Sequence, residues 1–243
     1  MKQLLTSVLI VLTASFGAFA QSGHWEGAAL VTDKSIGLVV DLAQTPEGTW
    51  AGTMRFPDQG TSDMPLMKVV ANGTAVAFDS PTITGFQATI SPDGSSMRGT
   101  MVLGPQRRQV HLSRTSPVQL KPAAKSSTIT KDVEGTWEGS LTYGKTWGDM
   151  TPPDEYAGAP RSIALRFRFA SGPDGVATGH LVRLDENAEL PIDLIVQNGD
   201  NFRFELFSVA GVFKGTVRGD EITGEWRQVG TDPAMLILKR LKN

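Results

Sequence analysis

Ile163-Ala164-Leu165-Arg166-Phe167-Arg168-Phe169-Ala170 alternates large apolar side chains with small or charged ones and never breaks step. A period of two lines one face of a strand with Ile163, Leu165, Phe167 and Phe169, whereas a helix would scatter them around its axis. Phe202, Phe204 and Leu206 alternate with Arg203 and Glu205 in the same manner. Earlier in the chain Leu38, Val40 and Leu42 point one way, and Val39 and Asp41 the other. Turn chemistry separates such runs: Pro46-Glu47-Gly48, Asn72-Gly73, Pro92-Asp93-Gly94, Asn198-Gly199 and Arg218-Gly219-Asp220. Asn-Gly and Asp-Gly supply the positive φ angles that tight hairpins need.

The order of these landmarks occurs twice. Trp25-Glu26-Gly27 returns as Trp137-Glu138-Gly139, and Gly48-Thr49-Trp50-Ala51-Gly52 as Gly175-Val176-Ala177-Thr178-Gly179. Met64-Pro65-Leu66 matches Leu190-Pro191-Ile192, Asn72-Gly73 matches Asn198-Gly199, and Phe86 matches Phe213. Gly94 and Gly99 match Gly219 and Gly224, and Leu112-Ser113-Arg114 closes the first unit as Leu238-Lys239-Arg240 closes the second. Shared order over so many positions marks a duplication. Each copy has about eight short strands by this pattern. In the first they fall near 25–30, 36–43, 49–55, 64–70, 75–78, 86–90, 97–102 and 109–113. The expected fold is all-β: two tandem small antiparallel β-barrels with a lipocalin/calycin-like meander. A sandwich is the alternative that periodicity leaves open. Strands of ~5–6 residues reach only about 17–20 Å. A barrel that short can be filled by its own side chains, and Phe167, Phe169, Phe202, Phe204 and Trp226 are available to fill the second.

The expected organisation is a signal peptide over 1–20, a first barrel over 21–114, a linker over 115–133 and a second barrel over 134–243. The second barrel carries an insertion over 144–160. Met1-Lys2, an apolar run over 4–16 and the small-x-small ending Ala18-Phe19-Ala20 read as a secretory signal cleaved after Ala20. The run is shorter than the ~20 apolar residues a spanning helix needs. The implied location is periplasmic or secreted, with no membrane span after signal removal. The linker is rich in Ser, Thr, Pro, Lys and Ala and lacks apolar periodicity.

Composition removes several chemistries. With no Cys, the chain has no disulfide, thiolate zinc site or cysteine nucleophile, and no lipid-bearing Cys follows the apolar run. With 23 Lys+Arg against 25 Asp+Glu it lacks the basic balance of a nucleic-acid binder. No Gly-x-Ser-x-Gly elbow, His-Glu-x-x-His, Walker loop or dinucleotide fingerprint occurs, and Gly94-Ser95-Ser96 sits in an expected hairpin. His24, His111 and His180 each stand alone in sequence and read as structural or exposed. Asp185, Asn187 and Glu189 alternate, but not at the spacing of a calcium loop, so a solvated hairpin is expected there. No metal or cofactor is expected.

The first unit resembles a small extracytoplasmic β domain of bacterial secreted proteins that often stands N-terminal to an α/β-hydrolase domain. The resemblance rests on Trp25-x-Gly27, Gly48-x-Trp50-x-Gly52, Phe56-Pro57-Asp58-Gln59-Gly60, Met64-Pro65, and Asp93-Gly94 followed by Gly99. It covers about residues 25–114 and extends more weakly over 137–240, where Leu184-Asp185-Glu186-Asn187 replaces the Pro-Asp-Gln-Gly stretch. It implies fold and compartment and brings no catalysis, because the hydrolase domain is absent.

Candidate ligand contacts lie in the insertion, at Trp147, Asp149, Asp154, Glu155 and Tyr156. Long loops on rigid scaffolds commonly bind, and Trp and Tyr offer large faces at low entropy cost. The alternative is a surface insertion whose aromatics cap the barrel. In the first unit the corresponding candidates are Arg107 and Arg108, read as a basic hairpin tip. The leading expectation is a non-catalytic extracytoplasmic binding or interaction module for a small molecule, a glycan or an envelope protein. One alternative is an accessory domain pair for a separate secreted hydrolase. The other is a hydrolase whose residues converge only in the fold.

Overall fold

The computed structural model describes residues 21–31, 34–118, 120–143 and 161–242. The first unit contains β1 (Gly23–Val31), β2 (Lys34–Gln44), β3 (Trp50–Arg55), β4 (Met64–Pro65), β5 (Met67–Asn72), β6 (Ala75–Asp79), β7 (Ile83–Ile90), β8 (Ser96–Leu103) and β9 (Gln106–Ser116). The second contains β10 (Gly135–Tyr143), β11 (Arg161–Ser171), β12 (Ala177–Arg183), β13 (Ala188–Pro191), β14 (Leu194–Asn198), β15 (Asn201–Leu206), β16 (Gly211–Arg218), β17 (Glu221–Gln228) and β18 (Ala234–Arg240). The strand orders are β4-β3-β2-β1-β9-β8-β7-β6-β5 and β13-β12-β11-β10-β18-β17-β16-β15-β14. The two sheets therefore follow one plan, and the protein is a pair of tandem antiparallel barrels.

Each sheet has nine strands where about eight were expected, and the difference lies at one corner. The run expected as a single strand over 64–70 divides at Pro65-Leu66. Met64 and Pro65 pair with Met54 and Thr53 of β3, whereas β5 pairs with β6. Proline has no N–H to continue a ladder. Leu66 instead donates to the Gly52 carbonyl at 2.9 Å, and Lys68, at φ 52°, carries the chain through a bulge. One bent run thus links the two edges of its own sheet. The second unit repeats the corner, where Ile192 donates to Gly179 at 3.0 Å.

Closure comes from pairing the first strand of each unit with its last. Gly27 opposes Leu112, and Gly139 opposes Leu238. A Cβ added at Gly27 would stand 2.0 Å from the His111 carbonyl oxygen, and one at Gly139 would stand 2.2 Å from that of Ile237. The neighbouring tryptophans are fully buried. Their indole N–H groups donate to the Gln21 carbonyl at 3.3 Å and the Val133 carbonyl at 2.8 Å. Arg114 and Arg240, from the last strands, lie 4.7 and 4.2 Å from the Trp25 and Trp137 ring centroids. The duplicated Trp-x-Gly and Leu-x-Arg landmarks are the two halves of this seam.

Each barrel has its own apolar interior. Phe78 stacks on Phe86 in the first at 4.0 Å, as Phe204 stacks on Phe213 in the second at 4.8 Å. Phe167, Phe169, Phe202, Phe204 and Trp226 gather in the second core as their alternation predicts. Residues 126–133, within the stretch read as linker, are bound to the second barrel. Ser127 donates its N–H to Ile195 of β14 at 2.8 Å and accepts from Ala177 of β12 at 2.9 Å. Val133 is buried in that core.

The units are joined by the Pro-Asp-Gln-Gly loop, present only in the first. Ser62 donates its N–H and hydroxyl to the two Glu205 oxygens at 2.8 and 2.6 Å. Arg203 donates to Glu205 through Nε at 3.0 Å and to the Gly60 carbonyl through Nη2 at 2.8 Å. Glu205 is fully buried. Ala210 and Val229 of the second unit join the first unit's core, and Phe207 packs against it. Because the loop serves this joint, only one copy needs it.

Two outcomes follow from these contacts. Gly27→Ala forces β1 and β9 apart and lowers stability by about 3 kcal/mol; a urea midpoint equal to wild type would show that the close approach is not what closes the barrel. Glu205→Ala leaves Arg203 and the Ser62 N–H without their acceptor, a loss of about 3–5 kcal/mol at a buried pair. Unfolding then separates into two transitions, one per barrel, as followed by calorimetry.

Candidate functional site

Duplication allows each position to be compared with its twin. Trp25 pairs with Val40 and Trp137 with Phe167, while Val39 pairs with Arg55 and Arg166 with Val182. Phe56, the residue after Arg55, therefore corresponds to Arg183. The Gly99–Val110 and Gly224–Leu236 pairs likewise make Met101 the counterpart of Trp226 and Leu103 that of Gln228.

At this end the first barrel is packed shut. Phe56, Met64, Ile83 and Met101 are fully buried and Leu103 nearly so. Thr82 donates its hydroxyl to the Phe207 carbonyl of the second unit, which brings Ala210 and Val229 over the same core. The second barrel instead holds a cavity of about 120 Å³. Leu141, Ile163, Leu165, Phe167, Leu181, Leu206 and Trp226 form its apolar wall, and the half-buried Arg183 and Gln228 stand where Phe56 and Leu103 fill the first barrel. Trp226 extends over Gly211, where an added Cβ would meet the ring at 2.3 Å. Its indole N–H donates to Gln228 Oε1 at 3.2 Å.

Arg183 carries the polarity of the site. Its Nη2 pairs with Asp185 Oδ2 at 3.0 Å and Glu186 Oε1 at 2.9 Å. Its Nε is buried and has no hydrogen-bond partner among the described residues. Asp185, read as one member of an alternating acidic hairpin, is thus a partner of Arg183. Among the described residues no cluster of three His, Asp or Glu is arranged to hold a metal ion.

The remaining sequence candidates are distributed as follows. Trp147, Asp149, Asp154, Glu155 and Tyr156 lie outside the described residues. The strands flanking that insertion are β10 and β11, whose Leu141–Ile163 pair belongs to the cavity wall. Arg107 and Arg108 do not form a hairpin tip. The turn is Gly104-Pro105, and both arginines are in β9, paired with Val102 and Met101. Strand alternation sends them to opposite faces. Arg107 is exposed and donates to Thr100 at 3.0 Å, while Arg108 is 5% exposed. Asp93, beside Ser95, is drawn down to about 2 by the Ser91 hydroxyl and then by the Ser95 N–H and hydroxyl. A carboxylate that acidic is a turn cap and a poor base for a serine.

Sequence reading passed over a polar chain on the outside of the first barrel. His24 bridges two carboxylates, Nδ1 to Asp41 Oδ1 at 2.7 Å and Nε2 to Glu26 Oε1 at 2.9 Å. Arg55 continues it, 3.9 Å from Asp41 and 3.0 Å from Asp63. The His24 and Asp41 side chains are only 18% and 11% exposed. Burial pushes the imidazole down, but hydrogen bonds to Asp41 and Glu26 outweigh it and hold His24 above its ordinary value. Both ring nitrogens are engaged, so His24 has no lone pair to offer a substrate. The second unit has Thr136, Arg168 and Val182 at the positions of His24, Asp41 and Arg55, so the fold itself does not require the chain of charges. The available signal was pairing register: His24 opposes Asp41 only once β1 and β2 are aligned.

No family model and no curated protein matches the sequence. Among solved structures, the chain is similar to a DUF3598-family protein of unknown function from Nostoc punctiforme. That match has 11% identity and a TM-score of 0.27, and covers 95% of this chain and 100% of that one. It is also similar to a candidate outer membrane protein from Bacteroides fragilis, with 13% identity and a TM-score of 0.30, over 93% of this chain and 99% of that one. Among the described residues no helix is long and apolar enough to cross a membrane.

A group whose folded pKa is raised stabilises below its unfolded value, and that contribution fades as pH climbs through the folded one. The stability advantage of wild type over His24→Asn is therefore full at about pH 5.5 and shrinks as the pH is raised past the ordinary imidazole value of about 6.5 and into the alkaline range. Urea midpoints of the two proteins across that range check it; an advantage that grows with pH contradicts the bridge.

Proposed function

We propose that the protein is a non-catalytic binding module outside the cytoplasm, and that it holds a small, largely apolar ligand in the end of its second barrel. One observation carries the reading: two copies of one scaffold differ at the same end, where Phe56 and its neighbours pack the first barrel and a cavity replaces them in the second. A cavity in an otherwise close-packed interior costs stability, by about 24 cal/mol per Å³ of empty volume, so keeping it in one copy alone suits a role in binding. Its 120 Å³ sets the scale. Apolar cavities of roughly 150 Å³ admit benzene and stay free of water. The ligand portion inside is therefore the size of an aromatic ring or a short alkyl chain, well below the capacity of a deep lipocalin calyx.

The exported location rests on Met1-Lys2, the apolar run over 4–16 and the Ala18-Phe19-Ala20 ending. The absence of catalysis rests on the lack of local catalytic motifs, on the engaged nitrogens of His24 and on the capping role of Asp93.

Native mass spectrometry of the protein purified from its own cell envelope is expected to show a retained small molecule. Toluene is expected to perturb the methyl resonances of Leu141 and Leu165. Leu181→Trp, which fills the space, is expected to abolish both effects while the far-ultraviolet circular dichroism stays unchanged. Methyl spectra indifferent to toluene would remove the second barrel as the site.

A further inference from the structure

The cavity has one polar feature that its apolar wall does not explain. Arg183 replaces the stopper Phe56 at the end of β12, and its guanidinium is used unevenly. Two carboxylates, Asp185 and Glu186, share Nη2, while Nε is buried beside the cavity with no partner among the described residues. A buried donor left unpaired costs free energy that a ligand acceptor would recover.

Charge decides which acceptor. An arginine facing an open cavity would ordinarily suggest an anion. Here the single positive charge is already paired with Asp185 and Glu186. A carboxylate or phosphate would have to compete with those acids for the guanidinium. A neutral oxygen needs no share of the charge and still satisfies the N–H.

Resting on the binding reading above, we infer that the ligand is an uncharged molecule with a ring-sized or short-alkyl apolar part and a carbonyl oxygen that accepts from Arg183 Nε. Small ketones, esters and lactones belong to this class; fatty acids and phosphorylated compounds do not. The apolar part occupies the space between Leu165, Leu181 and Trp226, and the oxygen sits at the Arg183 end.

The test is isothermal titration of the full chain with three probes of one ring size: acetophenone, ethylbenzene and benzoate. Acetophenone is the less hydrophobic of the two neutral probes, so tighter binding of it reports the hydrogen bond. It is expected to bind about tenfold tighter than ethylbenzene, in keeping with a hydrogen bond to a charged donor, with benzoate weakest. Arg183→Met keeps the apolar volume and is expected to erase the preference while both neutral probes still bind. The wild-type order is informative without any variant, and Arg183→Lys, which removes the Nε donor and keeps the charge, stands in should Arg183→Met fail to fold. Benzoate binding best, or acetophenone holding its advantage in Arg183→Met, overturns the inference. Ethylbenzene equalling acetophenone in wild type also overturns it, and leaves the apolar site standing. If none of the three binds, the cavity reading falls with it.

Discussion

Everything in this fold depends on how closely the first and last strands of each unit approach. Gly27 against Leu112 and Gly139 against Leu238 bring two backbones together where no side chain fits between them. Once they meet, Trp25 and Trp137 are fully buried, and Arg114 and Arg240 settle over their faces. The indole edge supplies the one polar group of the tryptophan, and it reaches a carbonyl four residues earlier in both copies. The seam therefore couples the start of each unit to its end. Without it each nine-stranded sheet falls into two smaller ones, β4 to β1 and β9 to β5 in the first unit, with two more exposed edges of the kind that sheets otherwise need covering or charge to tolerate.

This dependence explains what was legible in the sequence. The landmarks that recur are those the seam and the hairpins need, since a close approach leaves no room for a Cβ at Gly27 or Gly139, and the φ of 57° at Gly73 and Gly199 favours Gly. Strand faces were legible because alternation has a fixed period. The Leu38-Val40-Leu42 face is buried as its pattern predicts. Its opposite face was misleading: Val39 and Asp41 are buried too, 6% and 8% exposed, because His24 and Arg55 lie against Asp41 on the outside. Periodicity reports only whether a side is apolar, and a salt-bridged side reads as solvent-facing.

The candidate site was less legible for a different reason. A cavity is a missing volume, and no residue type announces one. Leu141, Leu165 and Leu181 look in sequence like any core leucines. Nothing in the sequence singled out Arg183, and its significance appears only when register aligns it with Phe56. The joint between units was hidden in the same way. Ser62 and Glu205 are far apart in the chain, and the sequence showed only that the second unit lacks the Pro-Asp-Gln-Gly stretch, not what the loop before Ser62 meets.

Duplication accounts for the division of labour between the copies. A β ladder is held by backbone hydrogen bonds, so the side chains at the end of a barrel can change without disturbing the pairing below them. The first copy commits that end to contact with the second, through Phe56, Thr82 and the Gly60–Ser62 loop. In the second copy the volume that a stopper would fill is left to Arg183 and Gln228. A solitary barrel would have to close this end for its own stability or leave it exposed. In the tandem, the first barrel supplies a packed body while Phe207, between the cavity-wall residues Leu206 and Val209, is braced against it. The joint thus holds one wall of the cavity in place from outside the barrel, so its shape need not rest on filling it.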